Sequence, residues 1–267
     1  MVAARIRPDG LAPARAAAIA ATLRTLRLSV AYDGTEYQGW QVQRAAPTVQ
    51  GALVAALRRL DPTVRVVGAS RTDAGVHALA QAASVTTSST LAPAAVTAAL
   101  NATLPRDIRV LCAVEASAGF DARRAARGKR YAYLIDNGTV GVPLLRRFAW
   151  HVPTPLDVEA MRRGLAFLGG RHHFGAFCAA PGREKDPTCH VRAGHVVRRK
   201  QRLAVVVSAD RFLHHMMRNI VGSLVAVGRG AHPPEWLADV LASRDRRRAG
   251  PTAPAHGLVL VRVLYPR

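Results

Sequence analysis

The stretch VVGASRTDAGVHALAQAASV, residues 66–85, carries the residues best placed to do chemistry. Apolar residues run into a short polar knot flanked by Gly68 and Gly75, and then alternation resumes. Inside the knot Arg71 and Asp73 stand two residues apart, in a chain with only 17 acidic residues against 38 lysines and arginines. Glycines permit backbone geometry that other residues resist, so the spacing predicts that Asp73 projects from a loop between two core strands. A carboxylate so placed can serve as a nucleophile. It can equally close the loop as an Asx-turn, bonding its own backbone. An isolated R-x-D leaves both open.

Metal chemistry is the other possibility the residue types raise, through His172-His173, Cys189-His190 and His214-His215. No CxxC is present, and the last pair is expected inside a helix, where adjacent side chains point about 100° apart. The expectation is therefore no metal.

The elements that must position these residues follow from hydrophobic periodicity. LRLSVAY (26–32) reads as a strand closed by the turn signal Asp33-Gly34. TVQGALVAALRRL reads as a helix with Thr48 as N-cap, and TVRVVGA and LAQAASVTT as strands on either side of the knot. PAAVTAALNATL is a helix with Pro93 near its start, and DIRVLCAVE a strand. The order β-α-β-β-α-β is that of the split βαβ, or ferredoxin-like, unit. KRYAYLID, LDVEAMRRGLAFLGG, the pair CHVRAGHVVRR and RLAVVVSA, the long helix FLHHMMRNIVGSLVAVG, a shorter helix PEWLADVLAS and the strand GLVLVRVLYP repeat that order. The fold class expected is α+β: two ferredoxin-like halves with antiparallel or mixed sheets, 26–120 and 121–267, and a basic groove between them. Residues 1–25, rich in Ala and Arg, are expected to form a flexible extension.

Charge suggests the partner. The formal net charge is +21, and residues 121–267 hold 26 basic against 10 acidic groups, more of the surplus than the 12 against 7 of residues 1–120. Such an excess predicts affinity for a polyanion, with nucleic acid the default. All but Lys129, Lys185 and Lys200 are arginines, which contact phosphate bidentately and stack on bases. No apolar run reaches the length of a membrane span. Three widely spaced cysteines (Cys112, Cys178, Cys189) argue against a disulfide framework and for a reducing compartment.

GASRTDAGVHALAQ resembles the signature of the TruA family of tRNA pseudouridine synthases. Further ordered matches lie in YDGTEYQGWQVQ with TVQGAL, NATLPRDIRV, DARRAARGKRYAYLI, RFLHHMMRNIVGSLVAVG and GLVLVRVLYP. The resemblance runs from Leu28 nearly to the end. Ser70 stands where many bacterial members have glycine, and REKDPTCHVR (183–192) is only loosely similar.

The resemblance implies isomerisation of uridine to pseudouridine at positions 38, 39 and 40 of the tRNA anticodon stem-loop, without cofactor or metal, by a cytoplasmic homodimer. It makes Asp73 the nucleophile, attacking either C1′ of the ribose or C6 of the base. Arg218 is implied as its partner. Tyr131 would stack on the flipped uracil and help move the C5 proton, Leu258 would form an apolar wall, and Arg71 would enter the RNA stack in place of the flipped base. Tyr133 is expected to be an ordinary strand aromatic, and Gln81 and His77 to order the loop. Arg123, Arg124, Arg127, Lys129, His214 and His215 are candidate RNA contacts.

Two other readings fit parts of the pattern. A non-catalytic RNA-binding protein on the same paired scaffold shares the charge and topology. It has no need, however, of a carboxylate facing phosphates. A phosphotransferase with an aspartyl nucleophile lacks the phosphate-cradling glycine loop and metal carboxylates.

Overall fold

Leu26, Leu28 and Val30 alternate with more exposed residues along the first strand, and each is fully buried. That period-two pattern fits a sheet covered on one face. In the computed structural model, which describes residues 23–179 and 186–266, the strand runs Arg24–Tyr32 (β1). The elements that follow are α1 (Val49–Leu57), β2 (Arg65–Gly68), β3 (His77–Thr87), α2 (Pro93–Thr103) and β4 (Ile108–Ala116). The second half contributes β5 (Gly128–Asp136), β6 (Trp150–His151), α3 (Val158–Ala166), β7 (Gly170–His173), β8 (Thr188–Arg199), β9 (Arg202–Ala209), α4 (Met216–Gly228), α5 (Trp236–Ser243) and β10 (Leu258–Leu264). Residues 1–22 of the expected extension lie outside the described residues, while Arg24 and Thr25 already belong to β1.

The protein is mixed α+β with a mostly antiparallel sheet of ten strands, in the order β4-β1-β3-β10-β5-β9-β8-β7, with β2 on β3 and β6 on β5. The β10–β3 contact is parallel and short, Val259 opposite His77 and Leu260 opposite Ala78. β2 pairs with the far end of β3, from Gly68 opposite Ala83 to Arg65 opposite Thr86. The polar knot therefore leaves the sheet in the gap on β3 between the end of β2 and the arrival of β10.

Local chemistry explains the element ends. The Thr48 hydroxyl accepts from the Gly51 N–H at 3.2 Å, and the Asp157 carboxylate accepts from the Ala160 N–H at 2.9 Å, each capping a helix start. Pro93 is the first residue of α2, where its missing N–H costs nothing. The long helix expected from residue 212 begins only at Met216, because His215 takes a left-handed backbone with φ 59°. His214 and His215 are thus loop residues, and the 100° argument made for them does not apply. Leu213 is buried from that loop rather than from the helix. The short strands β6 and β7 went unanticipated. Among the described residues no helix is long and apolar enough to cross a membrane.

Candidate active site

The knot is held from three sides. Ala69 N–H donates to Ala82 O at 2.8 Å, continuing the β2 pairing by one bond. The side-chain amide of Gln81, fully buried in β3, then grips Ser70 at both backbone groups: Ser70 N–H donates to Oε1 at 3.2 Å and Nε2 donates to Ser70 O at 2.7 Å. Trp40 N–H donates to Thr72 O at 3.1 Å, and the Thr72 and Tyr32 hydroxyls lie 2.8 Å apart. The loop closes with Val76 N–H donating to Asp73 O at 3.2 Å around Gly75, whose φ of 74° suits glycine. Gly68 has a different reason: a Cβ there would fall 2.2 Å from Trp40 Nε1. His77 Nδ1 lies 3.0 Å from Gly34 N and 3.2 Å from Asp33 Oδ1, and its Nε2 lies 3.1 Å from His256 O. Gln81 and His77 thus order the loop, His77 by tying it to the turn that precedes β10.

Asp73 points away from its own loop. Among the described residues its side chain accepts no bond from neighbouring backbone, so no Asx-turn forms. Its Oδ2 lies 3.5 Å from Arg218 Nη1 and 3.4 Å from His215 Nε2, and its Oδ1 lies 3.9 Å from His214 Nε2. The carboxylate is about a quarter exposed and the guanidinium 15% exposed, so the pair is only partly screened by solvent. The Arg218 contact is a single long one, not the bidentate pair at about 2.7–3.2 Å that a fork-to-carboxylate match would give. The reason is local. Arg218 Nε donates to Ala253 O at 2.8 Å, while Ala253 N–H donates back to Arg218 O at 3.2 Å, which locks the stem against the segment preceding β10. Arg218 lies in the first turn of α4.

The His214 and His215 rings pack 3.9 Å apart between centroids. Burial lowers the pKa of His215; Asp73 opposes that, and His214 and Arg218 add to it. Tyr131, 6% exposed in β5, brings its hydroxyl within 2.8 Å of Ser70 Oγ and its ring edge-on to Phe212 at 4.8 Å. Burial pushes its phenol up to about 12, against the pull of the Ser70 bond and with the help of the Asp73 charge. It stays protonated at neutral pH. Tyr133 is fully buried on the same strand and donates to Pro254 O at 2.7 Å.

Arg71, Asp73, Tyr131 and Leu258 line one cavity of about 590 Å³, together with His214, His215, Arg123, Lys129 and Arg211. Lys129 is held below its usual pKa by burial, then by Arg123 and Arg211. Arg124 and Arg127 are exposed on the same segment but do not line the cavity. Arg71, Asp73, Tyr131 and Leu258, expected to act together, therefore converge on one hollow.

Among the described residues, one group could offer three metal ligands: Asp73, His214 and His215, with ligand atoms within 4.8 Å of one another. The fit is poor. Arg218 already faces Oδ2, and Arg71, Arg123, Lys129 and Arg211 line the same cavity, so a dication would enter a field of its own sign. Phe212 against Tyr131 and the Ser70 hydroxyl escaped the sequence reading. Phe212 sits beside the histidines in RFLHH, and Ser70 was visible as a departure from glycine; neither contact could be read without the fold.

A family model described as tRNA pseudouridine synthase matches residues 28–123 and 166–266. A tRNA pseudouridine synthase A from Myxococcus xanthus is 47% identical over 251 residues, covering 90% of this chain and 91% of its own. One from Moorella thermoacetica is 46% identical over 243 residues, covering 90% of this chain and 99% of its own.

Proposed function

The chain belongs to the tRNA pseudouridine synthase family, and from that premise we propose that Asp73 is the nucleophile of a uridine isomerisation at positions 38, 39 and 40 of the tRNA anticodon stem-loop. The family makes the chain an isomerase acting on uridine in tRNA. The observation that carries the finer assignment is that Asp73, which lines a cavity walled by Tyr131 and Leu258, has Arg218 3.5 Å from its Oδ2. Arg218 places a positive charge 3.5 Å from the carboxylate that acts as nucleophile in this reading. The carboxylate attacks C1′ of the ribose or C6 of the base. The N1–C1′ bond breaks, the uracil turns, C5 bonds to C1′, and the bond to Asp73 breaks with its electron pair returning to the carboxylate, displaced by C5 from C1′ or eliminated from C6; the C5 proton leaves while N1 gains one. No oxidant, reductant or cofactor enters that balance.

Tyr131 stacks on the flipped uracil and, being protonated at neutral pH, holds a hydroxyl near C5. Arg71, exposed at the rim, takes the space in the stack that the base vacates. Arg123, Arg124, Arg127, Lys129, His214 and His215 contact the RNA backbone around the cavity mouth. The strand orders β4-β1-β3-β2 and β10-β5-β9-β8 support two ferredoxin-like halves, 26–120 and 121–267, that meet at the β3–β10 seam with an RNA cleft across it. The active form in this reading is a cytoplasmic homodimer.

A tRNA transcript lacking modification, incubated with the protein and mapped chemically for pseudouridine, tests the assignment. Product at 38–40 is expected; product confined to other positions rejects the anticodon assignment, and none at all rejects the activity.

A further inference from the structure

We infer that Ser70 is a positioning residue for Tyr131, its hydroxyl fixing where the phenol sits relative to Asp73. The inference rests on the role proposed above for Tyr131. The two hydroxyls lie 2.8 Å apart and both residues are almost wholly buried. Among the described residues each is the other's hydroxyl partner, and Phe212 limits the ring from one edge only. Without the Ser70 hydroxyl the nearly buried phenol would lose the one hydroxyl partner that ties it to the knot, which costs free energy and loosens its placement.

Ser70 is suited to the task because it cannot move. Gln81 holds its backbone N–H and C=O at once from the interior of β3. Three residues along the chain is Asp73. The Ser70–Tyr131 bond therefore spans from the knot to β5, across the place where β10 separates β3 from β5. It sets the distance between the nucleophile's loop and the aromatic platform. A glycine at position 70, as the sequence resemblance gives for many bacterial members, has no hydroxyl with which to make it. The device belongs to chains with a hydroxyl at this position.

Ser70→Ala is expected to slow single-turnover pseudouridine formation by about 3- to 10-fold, the worth of one hydrogen bond, with tRNA affinity unchanged. Ser70→Thr, which keeps the hydroxyl, is expected to restore most of the rate. In a Tyr131→Phe background, Ser70→Ala should cost nothing further, since the bond is already gone. An equal loss in both backgrounds, or none in the first, overturns the inference. A second measurement does not depend on activity. With a trifluorinated tyrosine incorporated at position 131, so that the phenol titrates while the protein is folded, its fluorine titration midpoint should rise in Ser70→Ala, because serine then no longer donates to the phenolate. An unmoved midpoint overturns the inference even if every variant turns over. If the unaltered protein makes no pseudouridine, the proposed function fails, while the fluorine titration still decides the contact.

Discussion

In the proposed reaction two demands meet at Asp73. It must stay ionised near a base that displaces water, and it must keep its oxygens accessible to carbon. A bidentate arginine would satisfy the first and obstruct the second. The observed single contact, with Arg218 anchored through Nε to Ala253 O, falls on Oδ2 and leaves Oδ1 toward His214. Arg218→Lys should therefore cut turnover by roughly 10- to 100-fold with the fold intact, since an ammonium cannot serve both acceptors and one charge-assisted bond is lost. Measured turnover within twofold of normal would remove Arg218 from the account. The histidines make a second prediction. Burial lowers the pKa of both His215 and His256, so each binds its proton less readily folded than unfolded. Their contribution to stability is complete above the ordinary histidine pKa of about 6.5 and is lost as pH falls through their lowered folded values. The thermal midpoint should drop between pH 7.5 and 5.5, and less so in His256→Asn; a flat midpoint would contradict the assigned directions.

At the scale of elements, legibility followed periodicity. β1, α1 and α2 were readable because alternation, a Thr48 cap and Pro93 are local signals. The start of α4 was not. RFLHHMM is apolar at helical spacing, and only the tertiary setting, which turns His214 and His215 toward Asp73, puts His215 in the left-handed region. β6 and β7 are too short for their pattern to stand out. Gly68 was read as a conformational glycine, whereas its neighbour Trp40 requires the missing Cβ. Asp61 passed unnoticed. It is 3% exposed and accepts from Thr63 N–H and hydroxyl, Thr87 hydroxyl and Ser88 N–H at 2.7–2.8 Å, tying the end of α1 to the end of β3. Burial opposes its charge, but those donors outweigh it and hold the carboxyl far below its usual range. Asp61→Ala should cost about 2–3 kcal/mol in urea unfolding by orphaning buried donors. A loss under about 0.5 kcal/mol would mean that water replaces the carboxylate.

For the whole molecule, the surplus of +21 sets the terms of encounter with tRNA. Each phosphate neutralised releases counterions, so affinity should fall by on the order of 10³-fold between about 50 and 200 mM salt. Alanine at Arg123, Arg124, Arg127 or Lys129, one at a time, should weaken binding and flatten that slope without changing which uridine reacts, since phosphate contacts position and do not read bases. A salt-insensitive affinity, or a shifted product position, would place recognition elsewhere. The sequence could show this surplus and the resemblance, but not that Arg123 and Lys129 line the cavity while Arg124 and Arg127 do not, because that depends on how residues 121–127 lead into β5 and which way its first residues face.

The most direct test of the account is Asp73→Asn, assayed side by side with the unaltered protein for tRNA binding and for pseudouridine in the anticodon stem-loop. The amide keeps the shape and removes the proposed nucleophile, along with a negative charge that would face the phosphates of bound tRNA. The account predicts tRNA binding as tight as before or tighter and no detectable pseudouridine. Near-normal turnover by Asp73→Asn would contradict it.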